Sequence, residues 1–183
     1  MDRGPFTPSL RVMSTLPRWG IVRVLHRQSV AEHSFYVALY ADGIADLLGW
    51  TNESRRVHLL RSALWHDVDE IVTGDIPGPV KRAIPQRDTF ETYVITEMRK
   101  HFVSYPRARE EEKPVLVAAN LLDECAYLLG ETRGGNMHVV HALSLSKRRL
   151  RAIWRQLDLP IVYIDEFLEA HATMDTPLPG DEE

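Results

Sequence analysis

The 183-residue sequence contains one cysteine, Cys125, so no disulfide can close within the chain, and no C-x-x-C is present to hold zinc or run thiol redox chemistry. No apolar run approaches the roughly 18 residues a membrane helix needs, and Met1 to Leu10 lacks a charged segment followed by an apolar core. These absences predict a cytoplasmic chain, neither secreted nor membrane-spanning. No basic tail or patch of one sign runs along the chain either: 22 Lys+Arg stand against 26 Asp+Glu, for a formal net charge of -4, and the basic residues Lys147, Arg148, Arg149, Arg151 and Arg155 read as a solvated helix face or an oligomer contact, so long nucleic acid is not an expected partner and small anions remain. Without G-x-x-x-x-G-K or G-x-G-x-x-G, P-loop and dinucleotide folds are not expected. Internal repeats, low-complexity segments and convincing alternation of apolar and polar residues are missing too.

What is present has the balance of a folded chain, with 44% hydrophobic and 26% charged residues. The length suits a single domain over residues 1–183, with 1–16 and 175–183 loosely ordered. Ser29-Val30-Ala31-Glu32 has the form of a capping box and predicts a helix to about Leu48, stopped by Gly49. A second helix is expected from a cap at Thr51 through His66 and Asp67 to Gly74, followed by a rigid turn at Ile76-Pro77-Gly78-Pro79. Further helices are expected from about Asp88 to Phe102, from Glu110 to about Leu129, from Asn136 to about Leu157, and from Ile161 to about Ala172. Six or more amphipathic helices without strands give an all-α helical bundle.

The second of these helices carries the chemistry. His66 and Asp67 interrupt the apolar run of Leu59, Leu60, Ala63, Leu64, Val68, Ile71 and Val72, and an imidazole and a carboxylate near a buried face need a partner. A structural hydrogen bond would supply one; a divalent cation would supply another. Glu70 follows His66 by four residues, so one helix can turn all three into one cavity. His33 falls in the first turn of the first helix, and Asn120 and Asp123 lie one turn apart on a later one. Upstream, Arg18-Trp19 can bind phosphate and stack on a flat ring, or simply pack on a helix edge.

The order His33, then His66-Asp67, then a polar residue on a later helix resembles the HD-domain metal phosphohydrolases. Arg18-Trp19, Ser29-Val30-Ala31-Glu32-His33-Ser34, His66-Asp67-Val68-Asp69-Glu70 and Thr73-Gly74-Asp75-Ile76-Pro77-Gly78-Pro79-Val80-Lys81 look like the corresponding motifs of its 5'-deoxynucleotidases. Trp19 followed by Ile21 is similar to the purine pocket of small phage-type dATP triphosphohydrolases. The resemblance implies a single HD domain that binds a divalent metal ion (Mn, Co, Fe or Zn) and hydrolyses a deoxynucleotide. It implies His33, His66 and Asp67 as metal ligands, with the family's last aspartate falling on Asn120, or the role passing to Asp123.

Within that resemblance Glu70 is the candidate for orienting or deprotonating water, and Asp75 for acid catalysis or for orienting a ligand. Arg18, Lys81 and Arg82 would hold phosphate oxygens, while Trp19 and Ile21 pack the sugar and base. The cations Arg18, Arg23, His26, Arg27, Lys81 and Arg82 could supply the charge a triphosphate needs, and Trp19, Ile21 and the compact chain put a dNTP triphosphohydrolase, releasing tripolyphosphate, slightly ahead of a 5'-deoxynucleotidase acting on dNMPs. A non-catalytic nucleotide-binding regulator is the reading from a different class, prompted by the amide at Asn120. A homo-oligomer is also expected from the resemblance.

Overall fold

Ser29 opens the first long helix as its sequence requires. Its side chain accepts from the Glu32 amide at 3.2 Å, and the Glu32 carboxylate accepts from the Ser29 amide at 2.6 Å, closing the capping box. The helix that follows, α1 (Val30–Leu47), turns Val37, Ala38, Ala41, Ile44 and Ala45 inward and ends at Gly49, whose φ of 66° is left-handed. The structure is a computed structural model describing residues 8–101 and 106–173, apart from the side chains of Pro8, Ser9, Pro79, Arg82, Arg87 and His101.

Among the described residues seven more α-helices follow: α2 (Glu53–Leu64), α3 (Glu70–Thr73), α4 (Gly78–Ala83), α5 (Arg87–His101), α6 (Lys113–Arg133), α7 (Val140–Gln156) and α8 (Val162–Thr173). Two 3-10 helices, Pro8–Ser14 and Met137–Val139, complete the set, and an isolated bridge between Pro17 and Ser29 is the only β pairing described. No described helix is long and apolar enough to cross a membrane.

The centre of the bundle is α6, which packs against α1, α7 and α8, while α2 lies on α1. Val115, Ala118, Ala119, Leu121, Cys125 and Leu128 on α6 are buried against α1, α2, α7 and α8 residues such as Ile44, Leu59, Leu150 and Ile164. Loss of one such side chain, as in Leu128→Ala, typically costs about 2–5 kcal/mol. A second apolar cluster joins Met13, Val30, Val68, Val94 and Met98 and fastens the N-terminal 3-10 helix and α5.

One expected helix is broken. Asn52 rather than Thr51 caps α2, accepting from the Arg55 amide at 2.9 Å, and the helix stops at Leu64. Between Leu64 and Glu70 the backbone bonds three residues back, as in Val68 to Trp65 (3.2 Å) and Glu70 to Asp67 (3.1 Å). The cause lies in the residues themselves. The His66 ring takes the Ala63 carbonyl at 2.7 Å, and the chain passes here from the larger cluster, at Ala63, to the smaller one, at Val68. Apolar spacing alone reads this as one helix, although Leu64 is 45% exposed. Elsewhere α4 forms where a rigid turn is expected, because Pro79 suits a first helical turn.

Candidate active site

The interrupted segment delivers His66 and Asp67 beside His33, which sits in the first turn of α1. His33 Nε2 lies 3.2 Å from His66 Nε2, and Asp67 Oδ2 lies 3.5 Å from the first and 3.1 Å from the second. Ligand atoms of these three residues lie within 4.8 Å of one another.

Proton placement follows from the outer nitrogens. His33 Nδ1 faces an Asp123 carboxylate oxygen at 2.5 Å, and His66 Nδ1 faces the Ala63 carbonyl at 2.7 Å. Both oxygens only accept, so both Nδ1 atoms donate, and either ring, when neutral, turns a lone pair at Nε2 toward the other. Two lone pairs and a carboxylate oxygen converging on one point repel unless a cation or proton stands among them. Burial pushes the His33 pKa down to about 4, with the Asp123 hydrogen bond only partly opposing it, so His33 is neutral at pH 7. For His66 burial acts downward, but the Asp67 charge and hydrogen bond outweigh it and raise the pKa. Burial likewise acts upward on Asp67, and His66 beside it holds the carboxyl well below the usual carboxylate range.

These residues fit a divalent cation on donor chemistry: two imidazole nitrogens and a carboxylate oxygen, without thiolate, suit Mn²⁺, Fe²⁺, Co²⁺ or Zn²⁺. Glu70, close enough to feel the Asp67 charge, strengthens the fit because its Oε2 is buried without a hydrogen-bond donor, and Asn120 Oδ1 on α6 is likewise buried without one. Burial, with the charges of Asp67 and Asp75, pushes the Glu70 carboxyl up to about 9, and a bound cation would oppose that rise.

The other expected site residues separate into those at the cluster and those away from it. Asp123 is buried behind His33, not among the converging donors, and its Oδ2 also accepts from Gln28 Nε2 at 2.9 Å and Arg18 at 3.5 Å. Arg18 is thereby held at the cluster. Asp75 accepts the Trp19 amide at 2.9 Å, fixing Trp19 at a φ of 64°, and the Trp19 ring stacks on Tyr127 with centroids 5.6 Å apart. Ile21 is 73% exposed. Lys81 and His66 share the wall of a cavity of about 440 Å³ with Trp65, Asp69 and Phe90, within the size range of small-ligand sites. The Arg82 side chain lies outside the described residues.

Sequence reasoning missed Gln28, Tyr127 and Glu131. Glu131, 1% exposed, accepts from the Leu25 amide (2.6 Å), the His26 amide (2.8 Å) and Asn136 Nδ2 (2.7 Å), and Asn136 also donates to the Arg23 carbonyl at 2.8 Å. Tyr127 donates to the His26 carbonyl. Together they clamp the loop that follows Trp19 onto α6. A glutamate inside an apolar helical stripe, five residues before Asn136, was the available signal.

The family described as 5'-deoxynucleotidase, YfbR-like, matches residues 5–171. A 5'-deoxynucleotidase of Citrobacter koseri is 32% identical over 82% of each chain. Among solved structures, an HD-domain phosphohydrolase from Listeria innocua superposes with a TM-score of 0.65 at 22% identity, covering 91% of this chain and 88% of that one. The cyanophage S-2L HD phosphohydrolase DatZ, bound to dA and one catalytic Zn²⁺ ion, gives a TM-score of 0.58 at 22% identity, covering 89% and 91%.

Proposed function

Since the chain belongs to the YfbR-like family of HD-domain 5'-deoxynucleotidases, metal-dependent hydrolases of deoxynucleotides, we propose that it removes the 5'-phosphate of deoxynucleoside monophosphates. The observation that carries this reading is the convergence of His33 Nε2, His66 Nε2 and the Asp67 carboxylate. The names of the relatives favour a monophosphate over the triphosphate that Trp19 and Ile21 put first, and the exposure of Ile21 weakens the purine-pocket comparison.

In this reading His33, His66 and Asp67 hold a divalent ion, with the Asn120 amide oxygen as the fourth protein ligand. When bound, the ion supplies Lewis acidity to a phosphoryl oxygen and to water. Glu70 takes a proton from the attacking water, whose oxygen forms the new bond to phosphorus as the bond from phosphorus to O5' breaks. That proton then passes to the departing O5', so that deoxynucleoside and orthophosphate leave. Arg18 and Lys81 bind phosphate oxygens and keep the phosphorus in line. Trp19, fixed by Asp75 and Tyr127, packs the deoxyribose or base.

The test is a nucleotide panel with Mn²⁺ or Co²⁺, read by product identity. Orthophosphate from dAMP and other dNMPs supports the proposal. Tripolyphosphate from dATP would return the first reading, and unchanged nucleotide with measurable binding would return the regulator. Self-association belongs to the same proposal: Phe35 and Leu39, each 54% exposed and four residues apart on α1, leave an apolar strip open. A monomeric mass in solution would contradict that part.

A further inference from the structure

We infer that Asp123 is a positioning residue for the metal centre, acting through His33, which it locks in one tautomer and to which it lends the negative charge that the ligands themselves lack. This rests on the metal reading above and goes beyond its ligand set.

The two nitrogens of an imidazole face away from each other. Asp123 occupies the Nδ1 side of His33, at 2.5 Å, while Nε2 faces His66 and Asp67. From there the carboxylate cannot join the converging donors, but it can decide which nitrogen carries the proton. With Nδ1–H given to Asp123, Nε2 is left as a lone pair aimed into the cluster. A carboxylate accepting from the outer nitrogen also makes the inner one a stronger donor.

The charge balance makes the same assignment. His33 and His66 are neutral as ligands, Asn120 offers only an amide, and Asp67 brings a single negative charge to a divalent ion. Asp123 adds a second from one helical turn beyond Asn120 on α6, offset in part by the Arg18 guanidinium 3.5 Å from its Oδ2. It is held there for that purpose: the side chain is 5% exposed, and its Oδ2 receives Gln28 Nε2 at 2.9 Å and Arg18 at 3.5 Å as well as His33. Gln28 directly precedes the N-cap Ser29, and the Arg18 amide donates to the Gln28 carbonyl at 2.9 Å, so the start of α1 brings His33 and the groups that hold Asp123 into place together. A carboxylate with this many fixed donors has little freedom to turn away.

The experiment uses the full chain and cobalt. Co²⁺ binding is titrated by its visible absorption for wild type, Asp123→Asn and Asn120→Asp/Asp123→Asn, with circular dichroism confirming the fold of each. The expected result is a 10- to 100-fold loss of Co²⁺ affinity in Asp123→Asn and recovery of at least tenfold when Asn120→Asp restores a carboxylate nearby. Asp123→Asn affinity within twofold of wild type overturns the inference and leaves the hydrolase reading intact, whereas failure of wild type to bind Co²⁺ at all overturns the metal reading itself. Should Asp123→Asn not fold, ¹⁵N spectra of histidine-labelled, metal-free wild type decide the matter: a proton on His33 Nδ1 supports the assignment, and a proton on Nε2 alone overturns it.

Discussion

Replacing Glu131 by glutamine should loosen the loop that carries Arg18 and Trp19 without touching a ligand or a reacting group. Each carboxylate oxygen takes one backbone amide, Oε2 from Leu25 at 2.6 Å and Oε1 from His26 at 2.8 Å, and Asn136 Nδ2 adds a third donor at 2.7 Å. In Glu131→Gln one oxygen becomes NH₂, so a donor meets a donor inside a site that is 1% exposed. Hydrogen bonds to a buried charge contribute about 1.5–3 kcal/mol each; with partial rehydration of the freed loop, a loss of about 3 kcal/mol is expected. At about 2–4 °C per kcal/mol for a chain this long, Tm should fall by about 6–12 °C at pH 7. Burial would raise the Glu131 pKa, but the donors from Leu25, Asn136 and His26 outweigh it and hold the carboxyl below its usual value of 4.5. A depressed carboxylate gives stability that is complete above the unfolded-state value and is lost as pH falls through the folded-state value. The gap in Tm between wild type and Glu131→Gln should therefore be full at pH 7 and shrink as the pH falls below about 4.5. Thermal unfolding across pH measures this, and steady-state kinetics at pH 7 should show a higher KM with little change in kcat. A Tm shift below about 2 °C at pH 7, or one that does not shrink in acid, would refute the reasoning.

Three further outcomes follow from the site. Treatment with a chelator should abolish phosphate release from dNMPs, and Co²⁺ or Mn²⁺ should restore it; full activity after exhaustive chelation contradicts the metal role of His33, His66 and Asp67. Glu70→Gln should lower kcat by about 10²- to 10⁴-fold while Co²⁺ affinity stays within a few-fold of wild type, and a near-normal kcat would remove Glu70 from proton transfer. Asp75→Ala frees the Trp19 amide from its 2.9 Å bond, and because a left-handed tryptophan costs about 1–2 kcal/mol unless held, Trp19 should relax and KM rise about tenfold. An unchanged KM would show that Trp19 does not contact substrate.

The bundle was legible in the sequence because helix signals are local. The Ser29 to Glu32 box, Gly49 and the apolar stripe of α6 each state their structure within a few residues. The break between Leu64 and Glu70 was not legible, because apolar spacing continues across it and the competing bond comes from the His66 side chain to the Ala63 carbonyl. For the site, the His66-Asp67 pair stood out because an imidazole and a carboxylate interrupt an apolar run, whereas His33 joined them through the order of motifs that the family resemblance supplied. Their supporting groups could not be placed. Whether Asp123 meets a cation or the far side of a histidine depends on how α6 is rotated against α1, and single-sequence periodicity does not fix a rotation that finely. The same limit applied to Asp75, whose bond to the Trp19 amide joins residues 56 positions apart.

The placement of cations bears on how many phosphates the site is built to hold. A triphosphate needs positive charge along its whole length, and the loop residues Arg23, His26 and Arg27 would be the obvious source. Their backbone, however, is fastened at the far end of α6. The Arg23 carbonyl is held by Asn136 and the His26 amide by Glu131, which lies about 12 Å further along the helix than Asp123 at about 1.5 Å per residue. The clamp that orders this loop therefore fastens its backbone at Arg23 and His26 toward the C-terminal half of α6. Arg18 is drawn to the cluster by Gln28 and Asp123, and Lys81 lines the cavity beside His66. The loop anchors thus position Trp19 and Arg18, and release of orthophosphate rather than tripolyphosphate is the outcome that the monophosphate proposal requires.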